Sequence, residues 1–244
     1  MNHITLSRRL TAEFIGTGLL VTAVVGSGIM GHNLSGGIVG LALLANTVAT
    51  GAALVCLILA FAPISGAHFN PVVTLADAAQ GDLPMRDAAM YCGAQFAGGF
   101  AGVLSAHAMF AVPLLAVSSH SRSGFPQALS EFVATFGLLA VITSCSRTGR
   151  SGAAPFAVGA YITAAYWFTA STSFANPAVT AARAFTDTFA GIRPADVAPF
   201  LLAQAAGAVA GTMLMRWLVA ESPSPGHRVV AGASVSHSGG RQPS

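Results

Sequence analysis

A polar phrase occurs twice in an otherwise apolar chain: His68-Phe69-Asn70-Pro71-Val72-Val73-Thr74 and Ser173-Phe174-Ala175-Asn176-Pro177-Ala178-Val179-Thr180. Asn before Pro starts a helix, because the Asn side chain caps free backbone N–H groups and Pro fits the first helical position. The stretches leading into each Asn, 65–69 and 171–175, read as non-helical. At membrane depth their exposed carbonyls are tolerable only if protein covers them or a wet pore receives them. Two isolated acids accompany them, Glu13 and Glu131, each in an apolar run where a carboxylate is costly unless polar groups hold it. We read them as acceptors for the N–H groups of the broken segments; proton relay is the alternative. No nucleophile–base pairing is present, so the chemistry on offer is exchange of hydrogen bonds, and an enzyme is not expected.

The elements that must position these groups are set by composition. The 244 residues are 54% hydrophobic and only 8% charged, with a mean hydropathy of +0.68. Soluble domains carry about 25% charge, so this chain lacks the polar surface to face water all round. Apolar runs near 10–30, 38–60, 88–109, 128–146, 154–172 and 197–219 each approach the roughly 20 residues that cross a bilayer. Lysine is absent and the 11 basic residues are all Arg. Arg8, Arg9, Arg86, Arg147, Arg150, Arg216, Arg228 and Arg241 fall on one side of six spans, against Arg122, Arg183 and Arg193 on the other, which places both termini in the cytoplasm by the positive-inside rule. The pI near 9.1 therefore reports orientation, and a nucleic-acid partner is not expected. The first run contains Glu13 and is expected to remain in the mature protein rather than act as a cleaved leader.

Cys56, Cys92 and Cys145 lie in or beside apolar runs at spacings that suit neither a disulfide nor a metal, and read as small buried thiols. The last stretch, 221–244, is rich in Ser, Gly, Pro and His, and reads as a disordered tail in which His227 and His237 are solvent-exposed. Residues 1–220 form the expected membrane domain.

That domain is duplicated. Glu13-Phe14-Ile15-Gly16-Thr17 matches Glu131-Phe132-Val133-Ala134-Thr135, and each half proceeds through its Asn-Pro phrase to an Ala-Gln segment at Gln95 or Gln204. The repeats run over about 8–110 and 127–219. Three spans per repeat force opposite orientations, and inverted repeats bring corresponding broken helices together near the midplane. The helical pieces after each Asn, near 71–80 and 177–187, are too short to span at 1.5 Å per residue. Gly16, Gly18, Gly98, Gly99, Gly102, Gly207 and Gly211 are expected to let helices approach closely.

With Glu13, the 65–74 segment, Gln95 with Gly98-Gly99, Glu131 and the second Asn-Pro-Ala in place, the chain resembles the major intrinsic protein family, the aquaporins and glycerol facilitators, over about residues 8–219. The resemblance implies an all-α membrane fold of six spanning helices and two re-entrant half-helices. It also implies a homotetramer among membrane lipids, with a passive pore in each subunit and no cofactor or metal. Asn70 and Asn176 would meet solute at the midplane, Pro71, Val72, Pro177 and Ala178 would form the half-helix contact, and Gly66, Ala67, His68, Thr172, Ser173 and Phe174 would supply pore carbonyls. Val72 stands where the family usually has Ala, and is expected to widen or shift the midplane contact.

The outer constriction departs further, since Val179 stands where the family usually has Arg. Counting back from the two Asn residues assigns the other filter positions to Thr50, Ala164 and Ser173. The expected filter holds no aromatic ring and no guanidinium, and is wide enough for glycerol, urea or neutral metalloid hydroxides as well as water. Arg183, one turn beyond Val179, reads either as a vestibule charge or as the partner of Asp187. Asp77 holds the matching place in the first repeat as a local anchor. His68 is expected on the inner pore wall, and Tyr161, Tyr166 and Trp167 in lipid or between helices. The alternative to a passive pore is a proton-coupled secondary transporter, and the location expected for either is a bacterial inner membrane.

Overall fold

In a computed structural model, described here for residues 4–219, the chain is all helix among the described residues. Helices α1 (Leu6–Leu34), α2 (Val39–Ser65), α3 (Pro71–Gln80) and α4 (Met85–Met109) form the first repeat, and α5 (Phe125–Arg147), α6 (Ala154–Phe168), α7 (Pro177–Ala182) and α8 (Pro194–Leu218) form the second. Four of them, α1, α2, α5 and α8, are long and apolar enough to cross a membrane by length and composition alone. Helix α4 has 25 residues with an acidic first turn. Helix α6 has 15 residues and is preceded by the 3-10 turn Ser151–Ala153. Their places in the duplication make them the third and fifth spans. The 221–244 tail, with His227 and His237, lies outside the described residues.

Packing repeats with the sequence. The two most extensive helix contacts are α1 with α4 and α5 with α8, and α2 meets α6 across the boundary between repeats. Glycine makes the first two contacts close: a Cβ on Gly98 would overlap the Phe14 carbonyl, and one on Gly207 would overlap the Phe132 carbonyl, at the corresponding level of the other repeat. Such backbone-to-backbone approach is how helices associate where lipid removes the hydrophobic incentive. Outward faces carry exposed Leu, Ile, Phe and Trp side chains, among them Leu19, Val48, Leu202 and Trp217, as expected of a lipid-facing surface.

The short helices meet inside this frame. Helix α3 starts at Pro71 and ends at Gly81, a left-handed cap whose N–H returns to the Ala78 carbonyl. Helix α7 is shorter than the sequence suggested: after six residues it tightens into the 3-10 turn Arg183–Phe185. At 1.5 Å per residue α3 and α7 are about 15 and 9 Å long, so neither could cross hydrocarbon alone.

One expectation fails at this level. Cys56 is exposed and Cys92 and Cys145 are only partly covered, so the thiols are not uniformly buried. Of the two places expected for Tyr166, lipid or between helices, the structure gives the second: it is 3% exposed, within the core.

Candidate functional site

The segments entering α3 and α7 turn by unusual backbone geometry. Ala67, Phe69, Thr172, Ser173 and Ala175 all have positive φ, between 48° and 61°, although none is Gly. Such left-handed residues cost roughly 1–3 kcal/mol each and persist where the surroundings hold them, often at functional sites. Here the surroundings are carboxylates. Glu13 accepts from Ser65 Oγ (2.6 Å), His68 N (3.0 Å), Phe69 N (2.7 Å) and Gln95 Nε2 (2.8 Å). Glu131 accepts from Phe174 N (2.9 Å), Ala175 N (2.9 Å) and Gln204 Nε2 (2.6 Å). The two Gln amides also donate to Thr74 Oγ1 and Thr180 Oγ1, each at 2.8 Å, tying the acid to its half-helix. Both acids are 0% exposed. With these donors consumed by Glu13 and Glu131, the segment carbonyls are left as acceptors.

The Asn side chains are fixed from both ends. Asn70 Oδ1 accepts from Val72 N (3.1 Å), and Asn176 Oδ1 from Ala178 N (3.0 Å) and Val179 N (3.2 Å), the N-caps expected of the motif. Each amide then donates across the molecule, Asn70 Nδ2 to the Ala175 carbonyl at 2.8 Å and Asn176 Nδ2 to the Phe69 carbonyl at 2.7 Å. This crossed pair locks the repeats together and leaves each amide one further N–H. Val72 is buried against this junction together with Ala175 and Val179.

A cavity of about 380 Å³ runs past both Asn residues. At one end stand Asp77, Gln80, Asp82, Ser146 and Ala154; its apolar length is walled by Leu20, Val24, Leu54, Val158 and Ile162, among others; at the other end stand Thr50, Tyr166, Val179 and Arg183. Gly66, Ala67, His68, Phe69, Ser173, Phe174 and Ala175 border it, so the non-helical segments lie on its wall, whereas Thr172 is absent from the lining. The Thr172 hydroxyl lies instead 3.5 Å from Arg122 Nη1. His68 Nδ1 lies 3.1 Å from Thr74 Oγ1 on the wall, and its Nε2 lies 3.6 Å from Asp77 Oδ2, beyond hydrogen-bond distance.

The end at Thr50, Tyr166 and Val179 differs from the sequence reading. Thr50, Ser173 and Val179 line the cavity as counted, but Ala164 does not: it is exposed on the opposite side of α6. The inward residues of α6 are Val158, Ile162 and Tyr166, spaced by four, and Ala164 falls about 200° from either neighbour of that row. Tyr166 OH meets Thr50 Oγ1 at 3.2 Å, bridging α6 and α2. A phenol therefore stands on the cavity wall beside Thr50, among positions that counting left without an aromatic ring. The row 158–162–166 was present in the sequence; Tyr at its end was the missed signal.

Arg183 also reaches the cavity, so its outer end is not free of guanidinium even though Val179 takes the position after Asn-Pro-Ala. The guanidinium carbon lies 3.4 Å from the centre of the Phe174 ring, and Nε donates to the Ala190 carbonyl. The expected partner Asp187 is engaged elsewhere, accepting from Ser119 N and Ser119 Oγ at 2.9 Å each. Those bonds hold its pKa below the ordinary value. Arg122, from the segment between α4 and α5, was read only as an outer-side charge. It is buried and donates from Nε to Gly191 O (2.8 Å) and from Nη1 to Ser171 O (3.0 Å), while its N–H meets Asp196 Oδ2 at 2.7 Å.

A wall of this kind, with paired half-helix amides at its centre and a duplicated frame around it, matches known proteins at each level of comparison. Residues 1–173 match the model of the family described as Major intrinsic protein. The chain belongs to the major intrinsic protein family. Aquaglyceroporin AqpS of Rhizobium meliloti is 56% identical over 219 residues, which cover 90% of this chain and 93% of the relative. Aquaporin Z of Brucella melitensis is 30% identical over 227 residues, covering 86% and 97%. The X-ray structure of the aquaglyceroporin from Plasmodium falciparum superposes with a TM-score of 0.68 over 88% of this chain and 96% of that one; at 21% identity the likeness is one of fold. As a major intrinsic protein the chain is an integral membrane channel for small neutral solutes and water, not an enzyme.

Proposed function

We propose that this channel passes glycerol- and urea-sized neutral solutes, and neutral metalloid hydroxides, along with water. The observation that supports this reading most is Val179, on the cavity wall where a longer, charged side chain would otherwise stand. A passing solute sheds water, and an unmet hydrogen bond in an apolar channel costs several kcal/mol. The free N–H of Asn70 and of Asn176 and the carbonyls of the two left-handed segments replace those bonds at successive depths, without a tight binding site. The apolar rows from α1, α2, α5 and α6 give carbon-bearing solutes a surface that a purely polar pore lacks. The similarity to an aquaglyceroporin over nine-tenths of the chain supports the same solute class.

On this reading the protein is a homotetramer in the bacterial inner membrane, both termini cytoplasmic, each subunit with its own pore. Stopped-flow light scattering on proteoliposomes tests the solute class. Wild type should pass glycerol and urea as well as water. Val179→Arg should lower glycerol flux about tenfold, the effect of about 1.4 kcal/mol added to the barrier, with a smaller loss for water. Water flux without glycerol flux in wild type, together with an indifferent Val179→Arg, would overturn the proposal.

A further inference from the structure

The outer end of the cavity holds a cation, Arg183, for which no counter-ion stands among the described residues. Arg183 is 2% exposed, borders the cavity, and has no ion pair among the described residues. Its Nε is spent on Ala190 O, while no acceptor among the described residues engages either Nη. Two features hold the side chain in this state. The Phe174 ring lies against the guanidinium face, a contact that favours Arg and leaves its in-plane N–H groups free. The chain tightens at Arg183 into a 3-10 turn, and Ile192 N closes the following loop by donating to Arg183 O at 3.2 Å. Asp187, the nearest acid in sequence, is held away by Ser119. Arg122 places a second guanidinium 4.9 Å from the same ring and also has no ion pair among the described residues, where Asp196 takes its backbone N–H and the side chain of Arg193.

We infer that Arg183 is the charge barrier and a specificity-determining donor of this pore, standing one helical turn beyond the position vacated by Val179. The inference rests on the channel reading and adds to it how a pore widened at Val179 still refuses cations. A desolvated cation meeting an uncompensated guanidinium in a low-dielectric wall is repelled far more strongly than it would be in water. The same Nη groups, on a cavity wall that also carries Tyr166 and Thr50, offer donors to a solute rich in oxygen acceptors. Phe174 and Val179 cover its carbon side. Moving the charge by four residues separates two properties that one side chain at position 179 would combine: bore is set by Val179, and charge by Arg183.

The test uses full-length protein in proteoliposomes with three variants, Arg183→Leu, Arg183→Gln and Arg183→Lys, and reads methylammonium uptake, proton leak and glycerol flux in each. Neutralising the charge in Arg183→Leu or Arg183→Gln should raise methylammonium uptake and proton leak at least tenfold, whereas Arg183→Lys should keep both near wild type. If the neutral variants conduct glycerol yet leak no more cation than wild type, or if Arg183→Lys leaks as they do, Arg183 is not the barrier. Should Arg183→Leu fail to fold, Arg183→Gln, which retains a donor for Ala190 O, carries the same comparison. Failure of the channel reading itself is distinct: wild-type vesicles would then lack glycerol flux.

Discussion

Glu131 shows how a single residue carries both fold and function. Its two oxygens take the N–H groups of Phe174 and Ala175, which no helix or strand would otherwise satisfy, and Gln204 braces it from α8. Glu131→Ala leaves two buried donors without a partner, each costing about 1–3 kcal/mol. We expect the melting temperature of the purified protein in detergent to drop by several degrees and its glycerol flux to fall, because the 171–175 carbonyls lose their aim. Glu131→Gln keeps one acceptor oxygen and should fall between. The pairing of acid and broken segment was legible in the sequence, since an isolated acid in an apolar run must find donors and the non-helical segments have them to spare. The cavity wall was legible only in part. Thr50 and Val179 border it, but Ala164 does not, because a fixed offset from Asn176 ignores where α6 ends and which face it turns inward. Its 158–162–166 row would have chosen Tyr166.

At the scale of elements, glycine placement decides how closely the helices pack. Gly207 sits where a Cβ would overlap the Phe132 carbonyl, whereas Gly93 in the middle of α4 has open space around its missing Cβ. Gly207→Ala must push α8 from α5 and should destabilise by about 1–3 kcal/mol, as overpacking does. Gly93→Ala relieves a helix-propensity cost and should stabilise by up to about 1 kcal/mol. Thermal unfolding of both variants in one detergent checks the contrast; equal shifts would contradict the packing. The loops between α4 and α5 and between α7 and α8 follow a different rule, since Ser119 and Asp187 join them through exposed hydrogen bonds. Asp187 has its pKa lowered by those bonds, so the clasp contributes above the ordinary carboxylate pKa and is lost as pH falls through the depressed folded value. Amide exchange at Ser119 should therefore stay slow from neutral pH down past about 4, the ordinary Asp value, and open only below it. The sequence did not show this clasp. One of its two readings of Arg183 paired it with Asp187 from a four-residue spacing that holds on a helix, and α7 ends at Ala182 before that spacing applies.

For the molecule as a whole, the inverted repeat fits either a channel or a coupled transporter, and the structure bears on the choice through what each acid touches. Coupling requires a group that gains and loses a proton while facing alternate sides. Every polar neighbour that Glu13 or Glu131 engages donates to it, from backbone N–H, Ser65 hydroxyl or Gln amide, and no His or second acid is bonded to either carboxylate among the described residues. The crossed bonds of Asn70 and Asn176 also tie the repeats together at their centre, at the junction that rocking between inward- and outward-open states would have to break. Glycerol flux should accordingly rise in proportion to its gradient, without saturation in the millimolar range. Collapsing a proton gradient with an ionophore should leave the flux unchanged within about 10–20%, a change equivalent to only about 0.1 kcal/mol in the barrier. His68 and Asp77 remain as a titratable pair on the cavity wall, 3.6 Å apart. His68→Gln separates their contribution: a channel keeps gradient-driven flux in this variant, whereas a transporter that used the pair would lose its response to the proton gradient together with most of its uptake.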